Sequence, residues 1–169
     1  MKRLILIRGL SGCGKTTMAS LICSDDEDRL MISADDYFTS EDGVYSFDFT
    51  KLKVAHEWCK SEVASAMDED WGVIVVHNTF TRKWEVDPYL NLASKNEYQV
   101  HILSLFDGGL SDLQLSQRGL HSLPTHQIQK QRRRWENDVY REQPRHDHYP
   151  RYDHPQKNSG DFQKKNRSW

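Results

Sequence analysis

Hydrophobic positions along the chain fall into short unbroken runs, separated by longer stretches with helical spacing. Leu4-Ile5-Leu6-Ile7 and Val73-Ile74-Val75-Val76 are apolar at every position, the pattern of strands buried on both faces of a parallel sheet. Leu30 to Ser33 and Val100 to Leu105 predict two more strands. Between the first two, Thr16 to Cys23 predicts a helix with Met18, Ala19 and Ile22 on its inner face. Asp48 to Met67 predicts a long helix, with Leu52, Ala55, Val63 and Ala66 near helical spacing. Trp84 to Ala93, Leu110 to Gln117 and Thr125 to Glu142 predict three more. Pro88 obscures the start of the first of these, and Pro124 stands where the last can begin. Strands alternating with helices imply an α/β domain with a mostly parallel sheet.

The pattern stops near Pro144. Residues 144–169 hold Pro144, Pro150 and Pro155 and few aliphatic side chains, too little apolar surface to offset the entropy of ordering. The chain therefore divides into a folded domain over 1–143 and a flexible, polar, mildly basic tail over 144–169. Tyr149, Tyr152, Phe162 and Trp169 are interleaved with the tail's basic residues. Such a segment can touch nucleic acid by charge and stacking, or simply be solvated. His146, His148 and His154 are too loosely spaced for a closed metal site.

Composition narrows the classes. A length of 169 residues suits one domain. With 23 Lys and Arg against 25 Asp and Glu, the net charge of −2 excludes a polycation that binds nucleic acid through its overall field. The three cysteines are odd in number and form no CxxC pair, which argues against a disulfide framework or a zinc site and fits a reducing cytoplasm. The first apolar run is too short for a signal-peptide core or a membrane span, so no membrane partner is expected.

The strongest chemical signal is Gly9-Leu10-Ser11-Gly12-Cys13-Gly14-Lys15-Thr16, which satisfies the Walker A pattern G-x-x-x-x-G-K-S/T. It follows a predicted buried strand and opens a predicted helix, the context in which such a loop wraps phosphate oxygens with its amides. Gly9, Ser11, Gly12, Cys13, Gly14, Lys15, Thr16 and Thr17 are thus the expected contacts to a nucleoside triphosphate. Lys15 would reach the β- and γ-phosphates, the Thr16 hydroxyl would ligate Mg²⁺, and Thr17 would meet the α-phosphate. The motif implies nucleotide binding and leaves the acceptor open.

Asp35 and Asp36 follow the second strand, where ligands gather at the carboxyl ends of a doubly wound sheet. An acid there can take the proton of an attacking hydroxyl. Adjacent acids point in different directions, so one is expected to act and the other to support; Asp35 is the candidate base. The alternative is that both merely cap the next segment.

Together with the loop, Ser33-Ala34-Asp35-Asp36-Tyr37-Phe38 resembles the P-loop polynucleotide kinase group, and within it the branch named after Nedd-four-binding protein two with its phage and bacterial relatives. Gly43 to Phe47, Ala55 to Trp58, Asn78 to Thr81 with Trp84-Glu85, and Gln117 to Pro124 share the resemblance, which covers about residues 1–140. It implies a three-layer P-loop NTPase fold of small-kinase type, with a helical lid over about 108–143. It also implies ATP and Mg²⁺ as cofactors, Asp35 as base toward a 5′-hydroxyl, and Arg118 as a lid arginine bridging the donor phosphates. Asp36, Asn78 and Thr79 would shape the acceptor side, with RNA or DNA as acceptor. A phage-encoded member would work in its host's cytoplasm. The sequence departs from the branch at His77, where an acid usually precedes the Asn-Thr pair, and Mg²⁺ prefers oxygen to an imidazole. Ser11 and Cys13 stand where the group often has Pro and Ser, and no basic residue lies near Phe38.

Several residues have structural readings of equal weight. Lys130 and Arg132-Arg133-Arg134 can meet nucleic-acid phosphates or form a solvated helix face. His56 and Trp58 do not share a helix face, and Trp84 reads as core rather than as a stacking platform. Three functions follow. The first is phosphotransfer from ATP to a polynucleotide 5′-hydroxyl. The second is a small-molecule kinase acting on a nucleoside, sugar or antibiotic hydroxyl, since a fold does not fix its acceptor. The third is a nucleotide-binding switch or partner-binding module with little catalysis.

Overall fold

The computed structural model of the chain describes residues 1–24, 27–119 and 123–137. Its elements run β1 (Arg3–Gly9), α1 (Lys15–Cys23), β2 (Arg29–Ile32), α2 (Leu52–Asp68), β3 (Val73–Asn78), α3 (Lys83–Lys95), β4 (Gln99–Phe106), α4 (Asp112–Arg118) and α5 (Thr125–Arg134). Two 3₁₀ turns, Ala34–Phe38 and Phe49–Lys51, lie between β2 and α2. The four strands are all parallel in the order β2-β3-β1-β4. β1 is therefore central, and the loop that leaves it opens where the strand order turns, the position at which such sheets bind ligands.

Alternation along the central strands builds three layers. Leu4, Leu6, Ile74 and Val76 face one side and pack with Ala55, Cys59, Val63 and Met67 of α2 and Val86, Tyr89 and Ala93 of α3. Ile7 and Val75 face the other side and pack with Ala19 of α1. Strands sandwiched this way need apolar residues at every position, which explains the unbroken runs. A third cluster of Leu10, Leu115 and Ile128 joins α4 and α5 to the loop after β1. Among the described residues no helix is long and apolar enough to cross a membrane.

The departures from the expected elements have local causes. The long helix starts at Leu52 rather than Asp48, because the Asp48 carboxylate accepts the Thr50 N–H at 2.9 Å and caps a 3₁₀ turn first. Pro88 lies inside α3 and does not end it. α4 begins two residues later than expected, where the Ser111 hydroxyl accepts the Gln114 N–H. α5 stops at Arg134 instead of continuing toward Glu142. Trp135 turns extended so that its ring packs on Phe106, 5.0 Å between centroids, and beneath the Arg8 guanidinium at 3.8 Å. The expected tail, its histidines and aromatics, and Leu120 to Ser122 of the lid lie outside the described residues.

Arg8 is 1% exposed, which is rare for an arginine. Its Nε donates to the Phe80 carbonyl at 3.0 Å and its Nη2 to the Glu136 carbonyl at 2.8 Å. The Glu136 carboxylate in turn accepts from Arg82 at 2.7 Å and from the Lys83 N–H at 2.8 Å. The chain leaving α5 is thereby fastened across β1 and the β3–α3 connection.

Candidate active site

The loop after β1 is shaped by two glycines in left-handed conformations, Gly12 at φ 83° and Gly14 at φ 101°. A side chain at Gly12 would also collide with α4, since a Cβ there would sit 2.2 Å from the Leu115 carbonyl oxygen. Backbone bonds moor the loop to the neighbouring strands: Gly9 N–H to the Thr79 carbonyl at 3.2 Å and Leu10 N–H to the Phe106 carbonyl at 2.7 Å. α1 starts directly at Lys15 with no acidic residue in its first turn, so the positive end of its dipole is open to an anion. The Lys15 ammonium donates to the Leu10 carbonyl at 3.0 Å. Burial pushes its pKa down from the ordinary lysine value, the expected behaviour of a desolvated cation.

A cavity of about 440 Å³ lies over this loop. Its walls bring together Ser11, Gly12, Gly14, Lys15, Thr16 and Thr17 of the loop and α1, Asp35 of the first 3₁₀ turn, His77 of β3, and Arg118 of α4. Gly9 and Cys13, also expected as nucleotide contacts, do not line it. Gly9 lies against Cys13, whose Sγ would be 2.4 Å from a Cβ at Gly9. Cys13 packs beside Leu10 and Leu115, and burial raises its thiol pKa.

The two adjacent acids have separate surroundings. The Asp36 carboxylate accepts the Ser33 N–H at 2.7 Å, so it caps the 3₁₀ turn. Asp35 is exposed and borders the cavity. Asn78 ends β3 on the face opposite His77. It is 5% exposed, its Oδ1 accepts the Ala34 N–H at 2.9 Å, and its amide nitrogen reaches Cys59 Sγ at 3.6 Å. The reason is parity: Asn78 shares the α2 side of β3 with Ile74 and Val76, whereas His77 shares the α1 side with Val75. Asn78 thus fixes the turn that carries Asp35. Thr79 contributes its carbonyl to the loop and does not line the cavity.

His77 is 6% exposed, and its Nε2 has no hydrogen-bond partner. Burial holds it below the ordinary imidazole range, with the nearby Asp36 carboxylate opposing that shift and Lys15 adding to it. Beyond Asp35, Phe38 is 6% exposed and meets Tyr37, Tyr45 and Phe47 edge to face. It anchors the turn and does not present itself to an acceptor. Burial and the Asp35 charge push the Tyr45 phenol up to about 12. His56, half-buried on α2, is held below its usual range by burial, partly offset by Glu85 and Asp35. Trp84 is 66% exposed, contrary to its reading as core.

Sequence spacing had no means of finding two further contacts. Gln131 of α5 accepts the Ser11 N–H through Oε1 at 3.0 Å and donates from Nε2 to Ser11 Oγ at 3.0 Å, tying α5 to the loop. Arg132 is engaged by Asp107 at 2.6 Å and Asp112 at 2.8 Å, and so braces α4 against α5 instead of offering a charge to nucleic acid.

The AAA domain family matches residues 4–137, which include every part of this site. The chain belongs to the AAA domain family. Human NEDD4-binding protein 2 is 37% identical over 97 residues; these are 57% of this chain but 5% of the human protein, so the chain spans a small fraction of that relative's length. The AAA domain fold recurs in a chain of the Pnkp1/Rnl/Hen1 RNA repair complex, at a TM-score of 0.61 and 13% identity over 79% of this chain and 43% of that one. It recurs in a putative kinase from Chloroflexus aurantiacus, at 0.53 and 17% over 69% and 64%. At these identities the likeness is one of fold: a three-layer nucleotide-binding P-loop domain of kinase-like build.

Proposed function

We propose that this AAA domain transfers the γ-phosphoryl group of ATP to a hydroxyl, with the 5′-hydroxyl of RNA or DNA as the first acceptor to consider. The observation that carries the reading is convergence: Lys15 and Thr16 of α1, Asp35 of the first 3₁₀ turn and Arg118 of α4 come from three separate segments of the chain yet border one cavity. The loop amides and Lys15 would hold the donor phosphates and offset their charge. Asp35 would take the proton as the acceptor oxygen bonds to the γ-phosphorus and the β–γ bridging bond breaks, leaving ADP. Arg118, at the C-terminal end of α4, would neutralise charge on the transferred group. A divalent cation, expected to be Mg²⁺, would sit by the Thr16 hydroxyl and the nucleotide's own oxygens. Those oxygen donors suit Mg²⁺; no cluster of three or more His, Cys, Asp or Glu among the described residues could hold an ion without them. When bound, the ion would supply charge neutralisation across the β- and γ-phosphates.

Two findings bear on the acceptor. The likeness to a chain of an RNA repair complex supports a polynucleotide. A small-molecule hydroxyl is favoured by the engagement of several basic side chains that could otherwise meet a polynucleotide: Arg82 with Glu136, Arg134 with Glu85, and Arg132 with Asp107 and Asp112. The test is transfer of label from γ-labelled ATP to short 5′-hydroxyl RNA and DNA, run beside a panel of nucleosides, sugars and aminoglycosides. Labelled oligonucleotide supports the first acceptor; label only on a small molecule supports the second; label on neither, with ATP bound, refutes the proposal.

A further inference from the structure

The phosphate loop spends one of its amides on the protein itself. The Ser11 N–H donates to Gln131 Oε1 at 3.0 Å, and Gln131 Nε2 donates to Ser11 Oγ at 3.0 Å. Ser11 is nonetheless only half-buried, and it borders the cavity with Gly12, Gly14, Lys15 and Arg118. With the amide engaged, what Ser11 has left to offer a ligand there is its side chain.

Counting donors and acceptors decides how. A backbone N–H can only donate, so it selects the oxygen end of the Gln131 amide. The nitrogen end, itself only a donor, is thereby set against Ser11 Oγ. The hydroxyl has to accept there, and its own proton must point away from Gln131. Among the described residues no protein group takes that proton, because the side-chain contacts of Ser11 are those to Gln131. Gln131 is also held in place by its own helix. Ile128, one turn earlier on the same face of α5, is fully buried against Leu10 and Leu115. The neighbouring Arg132 is braced by Asp107 at 2.6 Å and Asp112 at 2.8 Å.

We infer that the Ser11 hydroxyl donates to a phosphate oxygen of the bound nucleotide, and that Gln131 is the positioning residue that aims its proton. This rests on the nucleotide-binding part of the proposed function and not on which hydroxyl is phosphorylated. The ligand chemistry is an anionic oxygen, to which an O–H bonds more strongly than to a neutral one. Lys15, Arg118 and the open N-terminal end of α1 border the same space and favour the same charge.

The test is equilibrium binding of a non-hydrolysable ATP analogue with Mg²⁺ to the full chain and to a double-mutant cycle of Ser11→Ala and Gln131→Glu. The Gln131→Glu carboxylate can accept both the Ser11 N–H and the Ser11 hydroxyl, so it keeps both contacts to the loop and draws the proton away from the nucleotide. Ser11→Ala alone should weaken the analogue about tenfold. In the Gln131→Glu background the same substitution should change affinity by no more than about twofold, because the hydroxyl is already turned away. The added charge of Gln131→Glu is present on both sides of that comparison and cancels. Were Ser11 only a fastening for α5, Ser11→Ala would cost as much in the Gln131→Glu background as in the wild type, since it breaks a contact in each. Ser11→Thr, which keeps a hydroxyl, should recover most of what Ser11→Ala loses; if Gln131→Glu does not fold, that recovery still decides whether the hydroxyl donates. Unchanged affinity in Ser11→Ala, an equal loss in both backgrounds, or Ser11→Thr no better than Ser11→Ala overturns the inference, and does so alone where the wild type still transfers label. Failure of the wild type to bind the analogue overturns both this inference and the proposed function. The expected pattern of affinities, with no label on any hydroxyl, refutes the proposed function alone.

Discussion

Gly12→Ala should undock α4 and α5 from the phosphate loop, and its cost can be worked out from two contacts. The first is backbone conformation: at φ 83° an added Cβ meets the local backbone, at about 1–2 kcal/mol. The second is the collision with α4. A Cβ 2.2 Å from the Leu115 carbonyl is more than 1 Å short of ordinary contact, and the obstacle is backbone rather than a flexible side-chain end. Forcing atoms into a packed site typically costs about 1–3 kcal/mol. Gly14→Ala is the internal control. It has a left-handed φ of 101° but nothing within 4 Å of its Cβ, so it bears only the first cost. Without nucleotide, urea unfolding should rank Gly12→Ala below Gly14→Ala by about 1–3 kcal/mol. Hydrogen exchange should locate the difference in α4 and α5, with the amides of β1 and β3 still protected. The yielding part is expected to be α4, because Leu115 is held there by one small cluster with Leu10 and Ile128. Equal destabilisation by the two substitutions, with α4 and α5 as protected as in the wild type, would refute this reasoning.

Gln131→Ala removes two hydrogen bonds of 3.0 Å between α5 and Ser11. At about 0.5–1.5 kcal/mol each, the α5 amides should exchange faster by roughly an order of magnitude in the same experiment. Arg8→Met leaves the Phe80 and Glu136 carbonyls without their donor and the Trp135 ring without its cation; urea unfolding should show a loss of about 1–3 kcal/mol. For pH, burial holds the folded-state pKa of His56 below its ordinary value of 6.5. The unfolded chain therefore takes the proton first, and stability should fall as pH drops through the ordinary imidazole range. His56→Gln should flatten that part of a stability–pH curve. Asp36→Ala should lower transfer by loosening the turn that carries Asp35, while Asp36→Asn, which keeps an acceptor for the Ser33 N–H, should retain more of it; steady-state kinetics on both variants checks this.

The parallel sheet was legible because burial on two faces demands apolar side chains at every position, as at Leu4 to Ile7 and Val73 to Val76. The phosphate loop was legible because its chemistry lies in contiguous residues. Contacts between distant segments were not. Gln131 and Ser11 are 120 residues apart, and nothing in a polar helix marks which glutamine meets a loop amide. α5 looked longer because the polar run through Arg134 continues a helical pattern, whereas its end is set by Trp135 packing under Arg8. The resemblance implied an acceptor-side role for Asn78 and could not show its partner: strand parity turns the side chain to the α2 side, where it holds the Ala34 N–H. The same parity turns His77 toward the cavity. Trp84 looked like core because large aromatics usually are, yet it falls on the outer face of α3.

The central claim is that Asp35 activates a hydroxyl toward nucleotide phosphate held by the loop. Its most direct test is single-turnover transfer of labelled γ-phosphate by wild type and Asp35→Asn, with ATP affinity measured on the same preparations. The account expects ATP to bind both alike and transfer to fall by about 10²–10⁴-fold in Asp35→Asn, the usual contribution of a positioned base. Transfer undiminished in Asp35→Asn would contradict it.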